Sequence, residues 1–331
     1  MSSTNEWDKL KKVIVGVADH AKIPPMTKSL RCVNYADKTD TSDIIHGLYP
    51  EQVINEANED LETFVKFLEG ESVEVVRPNR VDVEYYNYCP RDVLFVHGEK
   101  RLAAPMSLPA RQNEWKNYLP GAAPISIGTR TNYEDEMYNE GCIGDKDQLA
   151  INELAPMFDA ANAIRANDDI LYLVSNTGNK AGAAELEKFL NVPKSAMMDP
   201  GNVKVHTLEG VYSYIHIDST VAFLREGLLL LNPERITDKS VLPEPFCNWD
   251  AIMCPEPNDI GYYGNYCNAS KWINMNLLSI NPNLVVIEEH QTNLAKELEK
   301  YDIESALLPT RHQRTLGGGF HCVTCDLERE E

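Results

Sequence analysis

The chain has 331 residues, 43% hydrophobic and 25% charged, enough apolar material for a substantial core and too much for a disordered protein. Its formal net charge of −20 opposes general affinity for nucleic acid or an anionic membrane, because both require clustered lysine and arginine, while a cationic substrate stays open. The opening MSSTNEWDKLKK has no apolar signal region and GLLLLNP is far too short to span a bilayer, so the expectation is a cytoplasmic protein.

In chain order, KKVIVGV is the first expected strand. Residues 50–69, PEQVINEANEDLETFVKFLE, put Val53, Ala57, Leu61, Phe64, Val65 and Leu68 on one helical face, with Pro50 near the start and Gly70 at the end. SVEVVRP follows as a strand, then DVLFVHG and DDILYLVS. The helical pattern NKAGAAELEKFL leads to VKVHTL, and YIHIDSTVAFL, GLLLLNP and LVVIEEH are further strands before the helix QTNLAKELEKYD and the strand IESALLP. This succession predicts repeated β/α units without a clean sequence period. No Gly/Ser linker or low-complexity tract divides it, which favours one domain over residues 1–331.

Eight cysteines (32, 89, 142, 247, 254, 267, 322 and 325) are scattered without a secreted framework, so they are expected reduced and mostly buried. GGGFHCVTCDLE spaces Cys322 and Cys325 as C-x-x-C, readable as a redox pair, half a zinc site, or one nucleophile beside a bystander. No second Cys or His pair at zinc spacing exists, so a metal is not expected. GGGF leads into a strand-like segment and not into a phosphate-binding helix, and no P-loop occurs.

Polar residues interrupt the apolar runs at a few points. On an alternating strand IHIDST, His216, Asp218 and Thr220 share one face, either as a functional set or as an ordinary solvated face. Asp159 in MFDAANAIRA reads as a helix or turn N-cap when taken alone, Asp92 in PRDVLFV as a turn residue, and Arg235 in NPERI as a surface charge.

Taken together, NEWDKLKKVIVG, CPRDVLF, FDAANAIRA, IHIDSTV, NPERI, SKWINMN and GGGFHCVTCDLE, in that order from residue 5 to about residue 329, resemble the glycine amidinotransferase family. That family includes the arginine:glycine and arginine:inosamine-phosphate enzymes. The resemblance implies a five-bladed α/β propeller of the pentein type, built of ββαβ modules around a central channel. It implies transfer of the amidino group of L-arginine to a primary amine, glycine being the first guess, with release of ornithine. By motif matching, the nucleophile falls on Cys322, the acid/base histidine on His216 and its acidic partner on Asp159. The carboxylates holding the guanidinium fall on Asp92 and Asp218, the receiver of the substrate carboxylate on Arg235, and a further substrate contact on Ser270. The partners implied are small molecules, L-arginine and an amine acceptor, with no cofactor; a homodimer is left open.

The residue types suit that reaction. A guanidinium stays protonated, with a pKa above roughly 12, and two carboxylates can hold its planar fork in line for attack. A thiol with a reference pKa of about 8.5 gains from nearby positive charge, which the guanidinium and a protonated histidine supply. The histidine then protonates the departing amine and later deprotonates the acceptor in a ping-pong cycle. His321 is a rival base, but on an extended strand it faces away from Cys322, together with Cys325. Asn162, Ile215 and Ala269 depart from the animal glycine enzymes and bear on the choice of acceptor. The competing readings are a deiminase-like hydrolase using water, a non-catalytic arginine- or partner-binding propeller, and, more distantly, a thiol-redox protein.

Overall fold

Leu10–Val15 is an apolar run because it is the middle strand of its sheet. In the computed structural model, which describes residues 2–38, 40–118, 125–126, 134–145, 148–193, 201–213 and 215–330, it pairs antiparallel with Thr324–Arg329 and parallel with Glu74–Val76. A parallel neighbour needs a long crossover, and the helix Glu51–Gly70 provides it. All six residues expected on its apolar face are buried, and Phe64 and Leu68 join Leu10, Val13 and Val15 in one cluster. Asp60 is buried on the same face, where it accepts from the backbone and side chain of Arg311 at 2.8 and 2.9 Å.

Four further sheets repeat the pattern of an antiparallel hairpin whose second strand takes a parallel third. They comprise Leu94–His97, Lys100–Ala103 and Ile125–Ser126; Ala163–Ala166, Asp169–Leu173 and Lys204–Leu208; Val221–Arg225, Leu228–Leu231 and Asp250–Met253; and Leu278–Asn281, Leu284–Glu288 and Glu304–Leu308. The helices Lys180–Asn191 and Thr292–Glu299 make two of the crossovers. The result is a five-bladed α/β propeller whose first blade combines strands from both ends of the chain. No helix among the described residues is long and apolar enough to cross a membrane.

The leading strand of every blade is preceded by a tight turn. Pro90–Val93 precedes Leu94, Ala160–Asn162 precedes Ala163, Ile217–Ser219 precedes Val221, Lys271–Met275 stands just before Leu278, and a turn at residues 320–323 runs into Thr324. These five turns carry most of the polar residues singled out above.

Two sequence expectations fail here for one reason. The segment 215–220 is not an alternating strand: Ile217–Ser219 is a 3₁₀ turn closed by Thr220 N–H to Ile217 O at 2.7 Å, and the strand starts only at Val221. Tyr214, the first residue of the expected strand, lies outside the described residues. Likewise His321 and Cys322 are not strand residues but lie in the turn before Thr324. Period-2 reasoning applies to neither segment, because the chain is entering a blade and not crossing it.

Beneath the turns, buried charges join the blades. Glu6 takes Arg165 at 2.7 and 2.8 Å, and Asp326 takes Arg91 at 2.6 Å and both Arg165 and Arg329 at 2.8 Å. Burial opposes the charge on Asp326, but the guanidiniums of Arg329, Arg91 and Arg165 hold its carboxyl well below the usual range. The cluster links the N-terminal segment to the first three blades, using residues that look like isolated surface charges in the sequence.

Candidate active site

Asp159 precedes the Ala160–Asn162 turn, and its side chain does not cap it. Oδ1 instead accepts from the Ser107 backbone N–H and hydroxyl, both at 2.9 Å, leaving Oδ2 for His216 Nε2 at 3.0 Å. The other imidazole nitrogen, Nδ1, stands 3.5 Å from Asp92 Oδ1. Burial disfavours a charged His216, but Asp92, then the hydrogen bond and charge of Asp159, then Asp218 outweigh it and lift its pKa to about 9. The ring is therefore a cation at neutral pH.

Asp92 lies in the Pro90–Val93 turn, with Oδ2 bound to Arg111 at 2.6 Å. Arg111 is held in turn by Glu114 at 2.8 Å and lies over the ring of Tyr86. Burial raises the Asp92 carboxyl against the pull of His216 and Arg111. Its Oδ1 is buried and makes no hydrogen bond, its ion-pair partner being His216 Nδ1 at 3.5 Å.

Asp218 Oδ2 contacts both His321 Nδ1 at 2.9 Å and Cys322 Sγ at 3.2 Å. Burial raises this carboxyl, yet the His321 hydrogen bond and charge, then His216, bring it down to about 2, so it is ionised. His321 is thus not turned away from Cys322 as a strand would demand: the turn brings both residues to one carboxylate oxygen, and His321 Nε2 reaches Glu6 at 3.3 Å. His216 and His321 hold different places. His216 is paired with Asp159 and lines the main cavity, whereas His321 is tied between Asp218 and Glu6.

Cys322 is nearly enclosed but lines a cavity of about 420 Å³ shared with His216, Asp218, Arg235 and Ser270. Asp92 and Asp159 line a smaller space of about 30 Å³ on the other side of His216. Arg235 Nη1 donates to the Thr220 hydroxyl at 2.6 Å and to Ser219 Oγ at 2.9 Å. Ser270 caps the Lys271–Met275 turn by accepting from Trp272 N–H at 3.3 Å. All seven residues expected from the motifs therefore line one of two spaces that share His216.

The Cys322 thiol is pushed well above the usual thiol range by the neighbouring Cys89 thiol, by burial and by Asp218. Asn276 works against this placement being loose: its Nδ2 donates to Cys322 Sγ at 3.2 Å and its Oδ1 accepts from the Cys322 backbone N–H at 3.0 Å. The sequence reading missed Asn276, although it ends the SKWINMN motif, and missed Arg111 and Cys89 as well.

The glycines before Cys322 have separate physical reasons. Gly317 sits at φ 82°, left-handed backbone that ends the helical turn Gln313–Leu316. A Cβ on Gly318 would stand 2.5 Å from Cys89 Sγ, and one on Gly319 2.8 Å from the Asn276 Cβ, so both positions exclude a side chain. Cys325 lies in the strand Thr324–Arg329 against Leu94 O, in a different apolar cluster from Cys322, and all eight cysteines are free thiols.

Of the three positions that depart from the animal glycine enzymes, Ile215 and Ala269 line the cavity. Asn162 does not: it is buried, donating to Leu173 O and Ser175 Oγ and accepting from the Thr177 hydroxyl. Among the described residues the grouping able to hold a metal is Glu288, Glu289 and His290, without a cysteine and outside this site.

No protein-family model matches the chain. It is 37% identical to inosamine-phosphate amidinotransferase 1 of Streptomyces glaucescens, over 99% of this chain and 97% of that protein. It is 33% identical to the L-arginine:L-lysine amidinotransferase of Pseudomonas savastanoi pv. phaseolicola, covering 99% and 94%. The solved inosamine-phosphate amidinotransferase of Streptomyces griseus superposes with a TM-score of 0.91 at 35% identity, covering 100% of this chain and 97% of that one. A dimethylarginine dimethylaminohydrolase from Pseudomonas aeruginosa, at 14% identity and TM-score 0.56, shares the fold alone.

Proposed function

Since the chain belongs to the amidinotransferase family, we propose that it takes the amidino group of L-arginine onto Cys322 and passes it to a primary amine. The observation that carries this reading is that Cys322 and His216 open on one cavity, with a carboxylate against the sulfur and two more beside the imidazole.

The Oδ1 of Asp92, which makes no hydrogen bond of its own, and the ionised Asp218 are acceptors for a guanidinium. Its arrival brings a fixed positive charge next to a thiol otherwise held protonated, and the thiol proton passes to solvent as substrate docks, to be regained when product leaves. Activation is therefore by substrate. The thiolate attacks the guanidinium carbon, the bond from that carbon to Nε breaks, and His216, already protonated, gives its proton to the departing ornithine amine. An amidino-Cys322 remains. The acceptor amine attacks the same carbon, neutral His216 takes its proton, and the thiolate leaves, restoring thiolate and imidazolium. Arg235, braced by Ser219 and Thr220, receives the substrate carboxylate, and Ser270 contributes a hydroxyl to the same wall.

Glycine is the acceptor first expected from the motifs. The relatives' names add lysine and an inosamine phosphate, and a cavity of about 420 Å³ has room for these larger amines. The experiment incubates the protein with arginine and each amine and resolves ornithine, citrulline and guanidino products. Ornithine that depends on an amine supports transfer, and citrulline formed without any amine overturns it in favour of hydrolysis. Cys322→Ala abolishes turnover, and an amidino adduct trapped on a different cysteine refutes the assignment.

A further inference from the structure

Cys89 plays no part in the reaction above, yet it is fully buried, and its sulfur and the Cys322 side chain meet the same face of Gly318. The approach is built into the backbone. Gly318 separates the two residues, and a Cβ there would stand 2.5 Å from Cys89 Sγ and 3.1 Å from Cys322 Cβ. Cys89 is held in place by the turn it begins: its carbonyl accepts from Asp92 N–H at 3.4 Å and from Arg111 Nη2 at 3.2 Å. Asn276 fixes the other partner through both the sulfur and the backbone of Cys322. Two buried cysteines that close on one glycine, one of them beside an open cavity, are arranged for a second chemistry, distinct from group transfer.

We propose that Cys89 and Cys322 form an oxidation site, in which a small hydroperoxide oxidises Cys322 and Cys89 closes a reversible disulfide. The Cys322 thiolate attacks one peroxide oxygen, the O–O bond breaks, and hydroxide leaves with a sulfenic acid on Cys322. Cys89 sulfur attacks that sulfenic sulfur, the S–O bond breaks, and the departing hydroxide takes the Cys89 proton as water. Two electrons pass from the thiol pair to one peroxide, and a dithiol reductant returns them. The bridge takes up the sulfur that accepts the amidino group and shields it from the irreversible sulfinic state. Because oxidation proceeds through the thiolate and the site favours the thiol, the reaction quickens as pH rises. Cys325, the sequence neighbour in C-x-x-C spacing, packs in another cluster and takes no part.

The pairing rests on the two sulfurs' positions, and only its effect on activity rests on the proposed role of Cys322, so the test reads the two separately. Full-length protein is treated with hydrogen peroxide, alkylated, digested without reduction and mapped by mass spectrometry. A peptide joining Cys89 to Cys322 that disappears with dithiothreitol supports the proposal. Absence of that peptide, or a bridge from Cys322 to Cys325, overturns it. Ornithine-forming activity, measured in parallel, falls on oxidation and returns with dithiothreitol. Cys89→Ser, whatever its activity before treatment, loses that activity irreversibly, with a sulfinic acid on Cys322, whereas Cys325→Ser behaves as the parent. If Cys89→Ser retains full dithiol recovery, the resolving role is refuted. If the bridge forms without loss of activity, the pairing stands and the nucleophile assignment falls.

Discussion

Replacing Asp159 by Asn keeps the shape of the side chain and reverses one hydrogen bond. Ser107 donates twice to Oδ1, so the variant's carbonyl oxygen keeps that place and its amide nitrogen turns toward His216 Nε2. A donor then faces a nitrogen that must be a donor in the imidazolium, and the ring is driven neutral with its proton on Nδ1 toward Asp92. The His216 pKa of about 9 is held up first by Asp92 and next by Asp159. Removing the Asp159 share lowers it, against the hold that Asp92 and Asp218 keep on the ring. At pH 8 the parent ring is mostly protonated and the variant ring less so. Since the first half-reaction needs the proton, ornithine release falls at alkaline pH, by no more than the roughly 10²–10⁴-fold that the whole acid/base service is worth, and the alkaline limb of the rate profile moves toward neutrality.

The stability effect has a fixed sign. The raised His216 pKa contributes stability that is complete below its unfolded value and lost as pH rises from about 6.5 through about 9. The parent's advantage over Asp159→Asn narrows across that window. NMR titration of the imidazole, with His216→Gln for assignment, and the pH dependence of ornithine release are the assays. A variant ring that still titrates near the parent value, or an unmoved alkaline limb, refutes the coupling of Asp159 to His216.

Asp326→Asn leaves Arg91, Arg165 and Arg329 facing a neutral group in the interior, and costs about 3–5 kcal/mol in urea unfolding at neutral pH. Because the native carboxyl is depressed, its contribution is complete above its ordinary value and lost as pH falls through the native one, so the difference shrinks in acid. A constant difference down to acid unfolding contradicts the network. Asn276→Ala removes the donor to Cys322 Sγ and the brace on its N–H, and lowers kcat by about 10-fold or more with little change in the arginine KM; an altered KM at unchanged kcat sinks the positioning role. Phe64→Ala opens a hole where the Glu51–Gly70 helix meets Phe320, at a cost of about 3–5 kcal/mol in thermal or denaturant unfolding. A loss below about 1 kcal/mol means that the helix packs more loosely than this geometry.

Local periodicity carried much of the architecture. The helix over 50–69 and its six buried residues follow from 3.6-residue spacing, and the strands are apolar because middle strands are covered on both faces. The motifs led to Cys322, His216, Asp159, Asp92, Asp218, Arg235 and Ser270, short-range words that, Arg235 apart, stand in or beside the turns at the blade entrances. Three things were decided only by the fold. The entrances at 217–219 and 320–323 are turns, because a chain entering a blade from the axis must bend there, and alternation along a strand therefore misassigned His321. The environment of each charge depends on partners more than fifty residues distant, such as Asp218 for Cys322 and Arg165 for Glu6, and no local pattern records such a distance. Finally, C-x-x-C spacing points from Cys322 to Cys325, whereas folding places Cys325 in a strand of another cluster and sets Cys89 against the sulfur. Adjacency in sequence fixes only the bond path between residues; which side chains touch is fixed by how the five blades close.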